Sequence, residues 1–203
     1  ERRGSIPSTA WKMERFGEEV RPGDALNASI GQGYVTATPL QLAVMTARVA
    51  NGGKAIMPRI VRAVGGVPEP APVAADLGIP PEHIALIQHG MDAVVNAAGG
   101  TAGRSRLAGD LKMAGKTGTA QVRGAKSVGG TLKGNAVPWH LRNHALFICY
   151  APVDAPRFAM AVVVEHGQGG SKAAAPIAKD IMQRTLEKYH DPASAPVASV
   201  VPA

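Results

Sequence analysis

Two short apolar runs near the C-terminal end constrain the fold of this chain most. Residues 145–151 (ALFICYA) and 158–165 (FAMAVVVE) are apolar at both parities and are joined through Pro152-Val-Asp-Ala-Pro156 and Arg157. A strand with one wet face alternates apolar and polar side chains, so two runs without alternation predict a hairpin covered on both faces. Covering it takes helices, and the sequence offers three. The first has Thr38 as N-cap, Pro39 in its first turn and Gln41 completing a capping box, with Leu40, Ala43, Val44 and Ala47 as its apolar stripe and Asn51-Gly52-Gly53 as its stop. The second follows Pro81, with Ile84, Ile87, Met91, Val94 and Val95 at helical spacing up to Asn96 and Gly99-Gly100. The third is expected to begin at Pro176, after the Gly-rich stretch 167–171, and to carry Ile177, Ile181, Met182 and Leu186.

Elsewhere the pattern is weaker. Residues 1–38 mix Gly, Pro, charge and the aromatics Trp11, Phe16 and Tyr34 without sustained period, which reads as a long irregular surface segment. An extended piece at 55–64 precedes GGVPEPAPVAADLGIPP, a loop too rich in Pro and Gly for regular structure. Beyond His190 the residues read as a disordered tail, leaving residues 1–189 as one domain. The order helix, helix, strand, strand, strand, helix gives an α+β fold, an antiparallel sheet covered by helices, rather than a doubly wound parallel one.

Composition narrows the function less. At 203 residues and 45% apolar content the chain can fill one core, and its net charge of 22 − 15 = +7 is too diffuse to point to nucleic acid. The single cysteine, Cys149, permits no intrachain disulfide and no thiolate metal cluster, and its apolar setting marks it as core filler. No stretch approaches the roughly 18 apolar residues of a membrane span, and the opening ERRGSIPS lacks the apolar centre of a signal peptide. Starting on charged, loop-like residues with no initiator Met, the chain is expected to be a piece of a longer protein.

The chemistry concentrates in Met113-Ala-Gly-Lys116-Thr117-Gly118-Thr119-Ala-Gln121. An ammonium, two hydroxyls and a glycine occupy four residues of an extended segment just before the hairpin. Alternation puts Lys116 and Gly118 on one face and Thr117 and Thr119 on the other. As an edge strand it would offer backbone groups to an extended peptide, while the lysine and hydroxyls hold a carboxylate. Two other readings compete. A nucleotide P-loop needs four residues between its glycines, whereas five separate Gly109 from Gly115, and no helix follows. An ordinary exposed edge strand also favours lysine and threonine.

Taken together, the ordered motifs Trp11-Lys12 with Arg15-Phe16, Gly23-Asp24, Ile30-Gly-Gln-Gly-Tyr34 running into Thr36-Ala-Thr38-Pro39, Asn51-Gly52-Gly53, Gly100-Thr101-Ala102, Lys116-Thr-Gly-Thr-Ala-Gln121, His144 and Tyr150-Ala-Pro152 carry a resemblance. Over about residues 1–189 the chain resembles the C-terminal half of the transpeptidase domain of the elongation-type class B penicillin-binding proteins, the penicillin-binding protein 2 family. The resemblance implies a partial penicillin-binding protein/serine β-lactamase-like fold. It also implies a serine D,D-transpeptidase that cross-links peptidoglycan stem peptides, is blocked by β-lactams, uses no cofactor, has no metal site among the residues of this chain, and works with elongation-complex membrane proteins. Its place would be the periplasmic face of the bacterial inner membrane, held by an anchor outside this chain. By the same resemblance, Lys116 shapes the electrostatics around the nucleophile and attracts the donor carboxylate, Thr117 and Thr119 hold that carboxylate, Gly118 opens the strand to the ligand, and the Thr119 N–H supplies half of an oxyanion hole.

The family's nucleophile sits in an S-x-x-K motif, assisted by S-x-N. No serine here is followed three residues later by Lys or two later by Asn, so the nucleophile is absent from this chain, which alone is expected to be inactive. Thr9-Ala-Trp-Lys12 has the spacing but matches a loop of the family. A non-catalytic β-lactam or wall-peptide sensor of the same fold, and a serine β-lactamase, are the rival functions. Of the remaining features, the basic residues between Arg104 and Lys133 read as a solvated face or as an attractor of acidic wall strands. His140 and His144 have zinc-pair spacing without the glutamate that should follow His140, which favours structural hydrogen bonding for His144 and exposure for His140. Gly31-Gln32-Gly33 reads as a tight turn, and residues 124–135 as a rim over the cleft or a connector.

Overall fold

The structure is a computed structural model that describes residues 3–122 and 136–189. The expected tail beyond His190 and the Gly-rich loop 124–135 lie outside the described residues.

Helix α3 (Pro39–Ala50) starts where its signals put it: Gln41 N–H donates to Thr38 Oγ1 at 3.2 Å, and Thr38 N–H donates to Gln41 Oε1 at 2.9 Å. The capping box thus satisfies two donors that the helix leaves orphaned. Helix α4 (Pro81–Asn96) buries Ile84, Met91 and Val95, while Ile87 stays about half exposed.

The irregular segment expected over residues 1–38 instead holds two short helices, α1 (Thr9–Phe16) and α2 (Pro22–Ser29). Each is too short for an apolar period to register, and local caps and ion pairs among Lys12, Glu18, Arg21 and Asp24 fix them. Ser8 Oγ accepts from Trp11 N–H, Gly17 in the left-handed region closes α1, and Asp24 accepts from Arg21 N–H at 2.9 Å. Lys12, buried, donates to Asp24 Oδ2 and to Glu19 O at 2.9 Å, tying the two helices together. A short hairpin also forms across Gly65-Gly66, both at positive φ: β1 (Ala63–Val64) ends the expected extended piece, and β2 (Val67–Pro68) lies where only loop was expected.

The predicted hairpin is β4 (His144–Ala151) with β5 (Phe158–Val164), and β3 (Ala114–Ala120) adds antiparallel to β4 in the order β3-β4-β5. Ala145, Phe147 and Cys149 pack on Ala174, Ala175, Ala178 and Met182 of the last helix. The opposite face brings Ala114 and Tyr150 against Ala50 of α3 and Met91 of α4. Both faces are therefore covered, as continuous apolar runs require. Burial pushes the Cys149 thiol up to about 12, which fits its reading as core filler.

The last helix, α5 (Gly170–Lys188), departs from expectation. It begins six residues before Pro176, which sits inside it, and its buried stripe is Ala174, Ala175, Ala178, Met182 and Leu186 rather than one including Ile177 and Ile181. Small alanines let the helix lie close on the sheet, so the bulkier isoleucines are left to its outer side, 44% and 46% exposed. Among the described residues no helix is long and apolar enough to cross a membrane.

Candidate active site

Strand β3 forms one edge of the three-stranded sheet, and its register with β4 fixes what it displays. Lys116 lies opposite Ile148, Thr117 opposite Phe147, Gly118 opposite Leu146 and Thr119 opposite Ala145. Cross-strand partners share a face, so Thr117 and Thr119 belong to the α5 side and Lys116 and Gly118 to the other, as alternation dictates.

The lysine does not stay on its own side. Its ammonium folds to the strand edge and donates to Thr117 O at 2.8 Å. That long, flexible side chain resolves the conflict between strand alternation and a shared ligand: the charge arrives at the edge although Cβ starts on the opposite face. Lys116 and Thr119 are exposed, Thr117 and Gly118 partly so.

Backbone groups of β3 sort by parity. Thr119 O accepts from the Gln32 side chain outside the sheet, so Thr119 points its C=O, and with it its N–H, away from β4. By the same alternation Thr117 also faces outward, consistent with Lys116 reaching its carbonyl. The edge therefore presents an ammonium, two threonines and an outward N–H within four residues.

Close packing holds this strand in place. A Cβ on Gly115 would lie 2.4 Å from Phe147 Cζ, and one on Gly170 would lie 2.3 Å from Leu146 O, so glycine is required at both. A Cβ on Gly118 would come 3.3 Å from Leu146 Cβ, on the face opposite α5. At the start of the strand Asn96 of α4 donates to Met113 O at 3.0 Å, and beyond its end Val122 N–H donates to Asn143 Oδ1 at 3.3 Å.

Two contacts at the edge went unread in the sequence. Thr101 Oγ1 lies 3.2 Å from Thr117 Oγ1, brought there by the turn after α4, where a Cβ on Gly100 would strike Val94 O at 2.4 Å. Gln32, read as part of a turn, also reaches the strand. The signals were present as Gly-Thr-Ala at 100–102 and Gly-Gln-Gly at 31–33, but neither says which distant strand it meets.

Other candidates fall outside this edge. Lys12 of the Thr9-Ala-Trp-Lys12 spacing is buried against Asp24, whose carboxyl is held below its ordinary range by that hydrogen bond first and by Arg21 N–H second. His144 accepts from the His166 backbone N–H through Nδ1 at 2.9 Å and packs against the His166 ring at a 53° tilt, while His140 is exposed. Among the described residues no cluster of three or more His, Cys, Asp or Glu could hold a metal. Arg106 of the basic stretch caps α4, donating to Val95 O, Asn96 O and Ala97 O at 3.0 to 3.1 Å. A cavity of about 140 Å³ between Ala47 and Ala50 of α3 and Phe158 of β5 is lined by none of the residues Lys116 to Thr119.

The family profile described as penicillin binding protein transpeptidase domain matches residues 1–183. The chain belongs to the penicillin-binding protein transpeptidase family. Among its relatives is the peptidoglycan D,D-transpeptidase MrdA of Haemophilus influenzae, 37% identical over 93% of this chain and 31% of its own length. Among solved structures, PBP2 of Pseudomonas aeruginosa in complex with WCK 5153 is 38% identical with a TM-score of 0.77, over 92% of this chain and 39% of that one. PBP2 of Helicobacter pylori, solved in a complex with MreC, is 32% identical with a TM-score of 0.73, over 91% and 31%. The resemblance to the penicillin-binding protein 2 family and the α+β transpeptidase fold expected from the motifs are borne out. The chain spans about a third of the length of the curated relatives it matches.

Proposed function

We propose that residues 1–189 are the C-terminal part of the domain of a serine-type peptidoglycan D,D-transpeptidase that is acylated by β-lactams. The nucleophilic serine belongs to a part of the domain outside this chain. Lys116 draws the donor carboxylate to the β3 edge, Thr117 and Thr119 bind it through their hydroxyls, and Gly118 leaves room for the ligand on its face. The Thr119 N–H stabilises the oxyanion as the carbonyl becomes tetrahedral, a contribution on the order of 10²-fold or more in rate. The observation that carries this reading is the outward Thr119 backbone on the same edge as the Lys116 ammonium.

By analogy with its relatives, the intact protein works at the periplasmic face of the inner membrane, anchored by a segment outside this chain, with a membrane protein of the elongation complex as partner; the MreC complex of the H. pylori relative supports that last point.

The test is acylation of the intact parent protein by a fluorescent penicillin. The Lys116→Ala variant is expected to label at least about 10²-fold more slowly while its melting temperature hardly moves, since an exposed side chain contributes little to stability. Parallel losses in both would return β3 to an ordinary edge strand. This chain alone is expected to take no covalent label, and a stoichiometric adduct on it would overturn the assignment. Acylation of the intact protein without cross-linking of stem peptides would favour the sensor reading.

A further inference from the structure

The turn Gly31-Gln32-Gly33 aims one side chain at the site. Gly31 and Gly33 have φ of 71° and 70°, so the chain reverses on each side of Gln32. Gly31 N–H and Gln32 N–H are tied back to Ala28 O and Asn27 O at 3.0 and 2.9 Å. From this support the half-buried Gln32 crosses to the outer edge of β3, where Nε2 donates to Thr119 O at 2.6 Å and Oε1 accepts from Gln121 N–H at 3.4 Å. A flipped amide would set oxygen against oxygen, so the two contacts fix its orientation.

Thr119 O and Gln121 N–H are the next two pairing positions along the same edge, and a peptide strand lying on β3 would need both to continue past Thr119. Gln32 takes them as one residue of a neighbouring strand would. Thr119 O keeps a second lone pair for a ligand N–H beside the glutamine, but Gln121 N–H has a single proton to give. With its carboxylate toward Lys116 and its reacting carbonyl at Thr119 N–H, a donor peptide runs its N-terminal part toward Gln121, straight at the carboxamide.

We infer that Gln32 is a specificity-determining residue that ends strand pairing at Thr119 and restricts recognition to the C-terminal residues of the donor peptide. This rests on the transpeptidase reading above and adds to it the length of donor that the β3 edge can read. A donor extended at its N-terminus gains no further backbone hydrogen bond from β3, so its added residues are recognised elsewhere or not at all.

The test compares two thiolester donors on the intact parent protein, one with a single acylated residue before its D-alanyl unit and one extended by three more residues. The ratio of their second-order acylation rates is the readout. The wild type is expected to show a ratio near one. Gln32→Ala frees the Gln121 N–H and is expected to raise the ratio about fivefold, the size of one added neutral hydrogen bond. Gln32→Asn keeps an amide but falls one methylene short, and it is expected to raise the ratio as well, which covers the case in which the alanine variant does not fold. An unchanged ratio in variants with wild-type melting curves, or an equal fall in both rates, overturns the inference by making Gln32 a mere brace of the strand. Failure of the wild type to be acylated by either donor, or by penicillin, is a different result: it overturns the transpeptidase reading, and the inference falls with it.

Discussion

Gly170, the first residue of α5, lies against Gly118 of β3 so closely that a Cβ on Gly170 would come 2.7 Å from Gly118 O and 3.0 Å from Gly118 N. The helix thus rests on the backbone of the Lys-Thr-Gly-Thr strand itself, on the face opposite the one left bare at Gly118. Gly170→Ala has backbone rather than a yielding side chain to meet, so strand and helix must separate. The expected cost is about 1–3 kcal/mol of stability. Because the strand that moves is β3, penicillin acylation of the intact protein should fall further than the lost stability alone explains. A melting curve and an acylation rate on the same variant check this; normal values for both would contradict the close approach.

The Lys12–Asp24 pair should matter far more than the Lys54–Asp76 pair. Lys12 is 3% exposed, whereas Lys54 and Asp76 are both more than half exposed. Asp24→Asn leaves a buried ammonium with only the longer, half-exposed contact to Glu18 at 3.7 Å, while Asp76→Asn disturbs a solvated contact. Thermal melts should show a clear drop for the first and little change for the second.

Acid should release the same clamp. The Asp24 carboxyl is held below 3.8 by Lys12, so its contribution to stability is complete above that value and is lost as pH falls through its lowered folded value. Stability measured below pH 4 should therefore decline less in Asp24→Asn than in the wild type. Equal decline in both would mean that other carboxylates govern the acid limb.

Cys149 should be silent toward thiol reagents in the native protein. Fully buried, with its thiol raised to about 12, it presents neither thiolate nor access. A maleimide should modify it only after denaturant unfolds the chain, and rapid native modification would contradict the packing of β4 against α5.

How much of this was legible in the sequence follows from how local each signal is. The capping box of Thr38 and Gln41 and the unalternated run at 145–151 are decided by residues a few positions apart, so the helix start and the central strand could be read directly. Helices α1 and α2 could not, because part of what fixes them is Lys12 meeting Asp24 across a turn, a tertiary contact with no period. The start of α5 was misplaced because Pro176 looks like a helix opener, while the true opener is a glycine chosen for its fit against Gly118 and Leu146. Within the site, Lys116 to Thr119 announced themselves as a cluster. The Gln32 contact with Thr119, separated by 87 residues, did not.

The most direct test is a crystal structure of the intact parent protein acylated by benzylpenicillin. The expected result is an acyl ester whose carbonyl oxygen accepts from Thr119 N–H, with the penicillin carboxylate beside Lys116 and the hydroxyls of Thr117 and Thr119. An acyl group seated away from β3, with that N–H still facing solvent, would contradict the account at its root.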